Sequence, residues 1–136
     1  MKINKVVETC IYSSDLESMK KFYVGFLGLT LVQGEKGKLV FLRAGKSMLL
    51  IFNPARTGTK NDKLPTHGAQ TPPACIHFAI KIEEHDYQHW KELLSNNKIA
   101  IEKEVDWKER SKSLCFRDPA GNLVELITPG EWPVES

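Results

Sequence analysis

The amino-acid sequence predicts an α+β fold built from two βαβββ modules, and three observations carry the prediction. The same order of strand-like and helix-like segments occurs twice along the chain. Two stretches, "VFLRAGKSMLLI" and "LCFRDPAGNLVELI", resemble each other in their letters. Single ionisable residues stand at matching places inside otherwise apolar runs.

The first module opens with the β-rich "INKVVETCIY" (Ile3–Tyr12). "SSDLESMKKFYVGFLGL" reads as a helix whose apolar face is Leu16, Met19, Phe22, Tyr23, Phe26 and Leu27. Ser14 and Glu17 fit a capping box, and Gly28 suits the residue just past the helix end. Short strands follow around Leu29–Gln33, Leu39–Arg43 and Ser47–Phe52. The second module repeats the order. "ACIHFAIKI" (Ala74–Ile82) is a strand, and "EEHDYQHWKELLSNN" is a helix with Tyr87, Trp90 and Leu94 on one face. Strands follow around Ile99–Glu104, Ser113–Phe116 and Leu123–Thr128. Asp118-Pro119-Ala120-Gly121 has turn chemistry, with Pro119 presetting φ and Gly121 free to take φ > 0. The domain thus spans 1–136, with module 1 at about 1–53, a linker at about 54–73 and module 2 at about 74–136. The linker holds four of the seven prolines, and a connection this long is uncommon unless it is a lid, an arm or a mobile link.

A chain of 136 residues with 41% hydrophobic content is enough for one domain with its own core. A net charge of +2 without Lys/Arg runs argues against nucleic acid or an anionic membrane as the main partner. No apolar stretch nears the ~18 residues of a membrane span, and "MKINKVVETC" lacks a secretory apolar region. Cys10, Cys75 and Cys115 form no C-x-x-C pair and lie in apolar runs, so they read as reduced, mostly buried thiols of a cytoplasmic protein. A catalytic thiol at Cys10 is the sharper reading, and simple burial outweighs it.

Glu125 interrupts the apolar strand "LVELI", where a lone buried carboxylate costs about several kcal/mol unless something pairs with it. Strand alternation puts Glu8 on one face with Cys10 and Tyr12, His77 with Ala79, and Glu125 with Leu123 and Ile127. Glu8 precedes Asp15 by seven residues, and His77 precedes Glu84 by seven, each at a strand-to-helix junction. If the halves curl around a shared cavity, Glu8, His77 and Glu125 converge on it. Two carboxylates would cancel a divalent cation's charge and a neutral imidazole would add a third bond. Three protein ligands leave positions for substrate or water. Taken singly, each residue has a plainer reading: a satisfied core histidine, a solvent-facing Glu8, a Glu125 paired with Arg117 or Arg43. The repeat favours the metal, because Glu8 and His77 occupy matching sites.

These residues resemble the vicinal oxygen chelate superfamily, which groups glyoxalase I, bleomycin- and fosfomycin-resistance proteins and extradiol dioxygenases. "ETCIYSSDLESMKKFYVGFLGL", "CIHFAI" and "FRDPAGNLVELI" carry the resemblance, which covers nearly the whole chain. It implies paired βαβββ modules in a curled mixed sheet around a cup-shaped site, often a homodimer. It also implies a divalent metal (Mn, Mg, Ni, Co, Zn or Fe) bound by first and last strands. Carried over by position, the ligands are Glu8, His77 and Glu125, with Glu125 the candidate catalytic residue. Aligning Gly45 with Gly121 puts the fourth ligand position on Leu49, which cannot ligate. The set therefore differs from the four ligands of glyoxalase I and from the two-His-one-carboxylate triads of Fe(II) dioxygenases and fosfomycin-resistance proteins. The implied activity is Lewis-acid catalysis on a small oxygen-chelating substrate, by lyase, isomerase or group-addition chemistry. The alternatives are a metal-free protein that sequesters a small drug-like molecule and an Fe(II) extradiol-type dioxygenase.

Other candidates are weaker. His85 and His89 stand four apart, but no H-E-x-x-H is present and both point off the apolar helix face, so they are expected in solvent. His67 in "LPTHG" reads as a solvated loop histidine before an acid/base. Arg43, Arg56, Arg110 and Arg117 could bind an anionic substrate or pair with acids, and Phe52, Trp107 and Trp132 could line a pocket or a dimer contact.

Overall fold

The computed structural model describes residues 1–57, 76–107 and 111–130. The chain divides into two compact units, Met1–Ala74 and Cys75–Ser136, each holding one four-stranded mixed sheet. His67, Cys75, Arg110 and Trp132 lie outside the described residues, as does the connecting segment beyond Thr57.

In the first unit β1 (Glu8–Tyr12) leads into a helix, and β2 (Thr30–Glu35), β3 (Leu39–Ala44) and β4 (Ser47–Phe52) follow. The sheet order is β1-β4-β3-β2, with β1 parallel to β4 and the other pairs antiparallel. Because the first strand docks beside the last, each unit needs only one crossover, and the intervening helix supplies it. The strand predicted from Ile3 begins only at Glu8. Residues Met1–Val7 are exposed, and with no second ladder to hold them, apolar content alone does not make them strand.

The helix is α-helical over Leu16–Lys20 (α1) and continues as a π-helix over Lys21–Phe26. Its cap is Asp15, not the Ser14–Glu17 box read from sequence: Asp15 Oδ1 accepts from the Ser18 backbone N–H at 3.1 Å, and Oδ2 takes the Ser18 hydroxyl at 2.6 Å. A carboxylate accepts both hydrogens more strongly than Ser14 could, and these bonds hold the Asp15 carboxyl below its ordinary pKa. Gly28 ends the helix at φ +78°, as expected of a residue without Cβ.

Strand alternation divides the sheet cleanly. Ile11, Val40, Leu42, Leu49 and Ile51 form one buried face, and Leu16, Met19, Phe22, Tyr23 and Leu27 of the helical segment complete that layer. The opposite face carries Leu39, Leu50 and Phe52, packed with the partly buried Cys10, Tyr12, Phe41 and Met48. One helical turn, Pro54–Thr57 (α2), opens the connecting segment, with Asn53 Oδ1 accepting from Ala55 N–H at 3.1 Å.

The second unit repeats the plan. β5 (His77–Lys81) is followed by a 3₁₀ turn at Glu84–Asp86 and by α3 (Tyr87–Asn96), then β6 (Lys103–Asp106), β7 (Lys112–Arg117) and β8 (Leu123–Ile127). The order is β5-β8-β7-β6, with β5 parallel to β8. Leu94, Leu114, Phe116, Val124 and Leu126 are buried in its core. Among the described residues no helix is long and apolar enough to cross a membrane.

α3 is tied to β6 by a polar cluster. The Tyr87 hydroxyl donates to Glu104 Oε1 at 2.6 Å, and Lys91 Nζ stands 2.9 Å from Glu104 Oε2. The Tyr87 bond first, and then Lys91, hold the Glu104 carboxyl below its ordinary value of 4.5. A carboxyl depressed in the folded state stabilises the fold above its unfolded pKa, and that contribution is lost as pH falls through the folded value. Melting temperature is therefore expected to fall as pH drops from about 4.5 downward. Tyr87→Phe should flatten that fall, as thermal melts at pH 7 and pH 3.5 would show.

Candidate metal centre

The turn before β8 explains how His77 is placed. Asp118 Oδ1 accepts from the backbone N–H of Ala120 and Asn122, each at 2.9 Å, and Gly121 N–H returns to Asp118 C=O at 3.0 Å. Gly121 takes φ +89°, as its place in the turn requires. Asn122 links this turn to the neighbouring strand: its Nδ2 donates to Asp118 Oδ2 at 2.8 Å, and its Oδ1 accepts from Ile76 N–H at 3.0 Å. Ile76 C=O in turn accepts from Leu123 N–H at 2.8 Å. Both backbone groups of Ile76 are thus engaged immediately before His77.

From there the β5–β8 register pairs His77 with Leu123 and Ala79 with Glu125, so His77 and Glu125 share a face two residues apart in register. His77 Nε2 lies 3.1 Å from Glu125 Oε1. His77 Nδ1 lies 3.2 Å from the Leu123 carbonyl oxygen. Glu125 is 9% exposed, and its second oxygen, Oε2, accepts from the Ser113 hydroxyl at 2.6 Å. Ser113 Oγ accepts in turn from Trp107 Nε1–H at 2.9 Å.

This arrangement tests whether a cation fits. Leu123 C=O and Glu125 Oε1 are both acceptors, and a neutral imidazole has one N–H to offer between them. In one tautomer Nε2–H donates to Glu125; in the other Nδ1–H donates to Leu123 C=O and Nε2 presents a lone pair toward the carboxylate oxygen. Two acceptors facing each other at 3.1 Å want a positive charge between them. With the proton on Nδ1, a metal ion can take both atoms. The backbone carbonyl on Nδ1 is the partner that commonly fixes a metal-bound histidine.

His77 and Glu125 are therefore brought together. Glu8 is exposed on β1 of the other unit, and its side chain makes no hydrogen bond or ion pair among the described residues. Within either unit, among the described residues, no three His, Cys, Asp or Glu side chains gather into a metal-holding group. The plainer pairing of Glu125 with Arg117 does not occur, since Arg117 Nε donates to Glu102 at 3.0 Å and Nη1 to Gly121 C=O at 3.1 Å.

Leu49 is a correction. Glu125 lies two residues past Leu123, the register partner of His77. Met48 is the register partner of Glu8, so the residue equivalent to Glu125 is Leu50. Leu49 belongs to the buried face shared with Ile11 and Ile51. The slip came from matching Gly45 with Gly121. β3 and β4 close tightly at Ala44↔Ser47, whereas β7 and β8 close at Arg117↔Leu123 around a longer turn. The position remains apolar, so the expectation of a missing fourth ligand is unchanged.

Neither described cysteine is a nucleophile in waiting. Burial, and then the Glu8 carboxylate, push the Cys10 thiol above its ordinary pKa. Burial and then Glu125 do the same to Cys115. His85 and His89 are exposed, as read from their spacing. Ser113 escaped the sequence reading. Its signal was present, because Ser113 shares a strand face with Cys115, the cross-strand partner of Glu125.

A profile of the Glyoxalase/Bleomycin resistance protein/Dioxygenase superfamily matches residues 2–126. The chain is 30% identical over 131 residues to metallothiol transferase FosB of Staphylococcus epidermidis, covering 94% of this chain and 84% of that protein. The crystal structure of lactoylglutathione lyase from Agrobacterium tumefaciens superposes with a TM-score of 0.87 at 30% identity, covering 98% of this chain and all of that one (100%). The fosfomycin resistance protein FosX from Mesorhizobium loti matches with a TM-score of 0.63 at 20% identity, covering 94% of this chain and 93% of that one, a likeness of fold.

Proposed function

Because the chain belongs to the glyoxalase/bleomycin resistance protein/dioxygenase superfamily, we propose that it is a divalent-metal-dependent enzyme acting on a small oxygen-chelating substrate. His77 Nε2 and Glu125 Oε1 are the proposed ligands of the second unit, and Glu8 holds the position in the first unit equivalent to His77. The observation that supports this most is the opposed pair at 3.1 Å, whose histidine has its other nitrogen beside the Leu123 carbonyl. When bound, the metal supplies a Lewis acid that stabilises charge developing on a substrate oxygen.

This chain's residues do the positioning. Leu123 C=O supports the Nδ1–H tautomer that ligation through Nε2 needs, Asn122 holds the start of β5, and Ser113 holds the carboxylate. Two carboxylates with one imidazole suit Mn²⁺ or Mg²⁺ better than the facial triad of Fe(II) oxygenases. Lyase, isomerase and group-addition chemistry all use such a centre. The names metallothiol transferase and lactoylglutathione lyase both refer to sulfur compounds, a thiol and a glutathione thioester, which favours a sulfur-bearing substrate here as well.

Elemental analysis of purified protein, wild type against Glu125→Gln, tests the centre. Bound divalent metal is expected to fall about tenfold or more in the variant. Equal metal in both would remove the assignment.

A further inference from the structure

Glu125 has two oxygens, and they are used differently. Oε1 faces His77 Nε2 at 3.1 Å, while Oε2 is capped by the Ser113 hydroxyl at 2.6 Å. The cap has a fixed direction. Trp107 Nε1–H donates to Ser113 Oγ at 2.9 Å, which occupies an acceptor lobe of the hydroxyl and turns its proton toward Glu125. Ser113 is fully buried, so no solvent competes for that proton.

We infer that Ser113, held by Trp107, is a positioning residue that commits Glu125 to ligation through Oε1 alone, and that this determines which divalent cation the site accepts. The inference rests on His77 and Glu125 being ligands. For Oε2 to swing onto a cation, the short Ser113 bond must break and leave a buried hydroxyl without an acceptor. Calcium favours many oxygens at long distance and often takes both from one carboxylate. Magnesium and manganese accept a single carboxylate oxygen within an octahedron. A capped Oε2 therefore discriminates against calcium, and the discrimination arises in a residue that never touches the ion. Trp107 has a tail-end role: it orders Ser113 and remains half-exposed at its other edge.

Isothermal titration with Mn²⁺ and with Ca²⁺ tests this on wild type, Ser113→Ala, Trp107→Phe and Glu125→Gln. In Ser113→Ala the ratio of the Mn²⁺ and Ca²⁺ dissociation constants is expected to move about tenfold toward calcium. Trp107→Phe should move it the same way by less, and its exposed position protects the fold if the alanine variant proves unstable. An unchanged ratio in either variant that still binds Mn²⁺ would overturn the inference and leave the metal centre standing. Wild type without saturable binding, or Glu125→Gln binding as tightly as wild type, would overturn the centre and the inference with it.

Discussion

Leu49→Glu is expected to cost about 3–5 kcal/mol of stability, because it buries a carboxylate with no partner. Leu49 is 3% exposed and lies on the face with the buried, apolar Ile11, Leu42 and Ile51. Leu50→Glu should behave differently. Leu50 shares its face with Cys10, the residue two along from Glu8, and its neighbours Tyr12, Phe41 and Met48 are only partly buried. A carboxylate there sits at the place Glu125 holds in the second unit, so it should lose less stability and gain a larger Mn²⁺-dependent rise in melting temperature. The gain is limited by repulsion from Glu8. Thermal melts of both variants with and without Mn²⁺ decide between the faces. A stable Leu49→Glu beside an unfolded Leu50→Glu would reverse the register argument.

Asn122→Leu is expected to cost about 2–4 kcal/mol, since it removes two buried hydrogen bonds, one to Ile76 N–H and one to Asp118 Oδ2. Asn122 is 3% exposed and its amide makes both bonds at once. The same change should weaken Mn²⁺ binding about tenfold, because Ile76 directly precedes His77 and the ring is aimed by the backbone it grows from. Chemical denaturation gives the first number and titration of the folded variant the second. Stability lost with metal affinity intact would mean that the β5–β8 ladder alone positions His77.

These two cases mark what could be read in the letters. The repeat, both sheets' element order and the role of Gly121 follow from local chemistry: periodicity, turn residues and φ preference act over a few positions. So does the shared face of His77 and Glu125, which needs only strand alternation and one register. The Leu49 assignment failed because register depends on loop length, and a glycine in a two-residue hairpin is not the counterpart of a glycine in a longer turn. The Asp15 cap was missed by one residue because Ser14, Asp15, Glu17 and Ser18 offer two overlapping capping patterns. The strand pattern carried a signal for the face of Ser113 but not for its bond to Glu125 or for Trp107, since a hydroxyl's acceptor depends on packing across strands rather than on spacing along them.

The mixed sheets place β1 and β5 at the margin, each with one neighbouring strand, and seat β8 between β5 and β7. Glu8 and His77 therefore stand where a substitution disturbs one ladder and little core, whereas Glu125 is built into packing on both sides. Over evolutionary time such a layout divides the labour of change. On the proposed metal centre, the marginal strands would be free to trade carboxylate for imidazole and so retune the preferred ion, while the interior strand would keep Glu125 as the anchor.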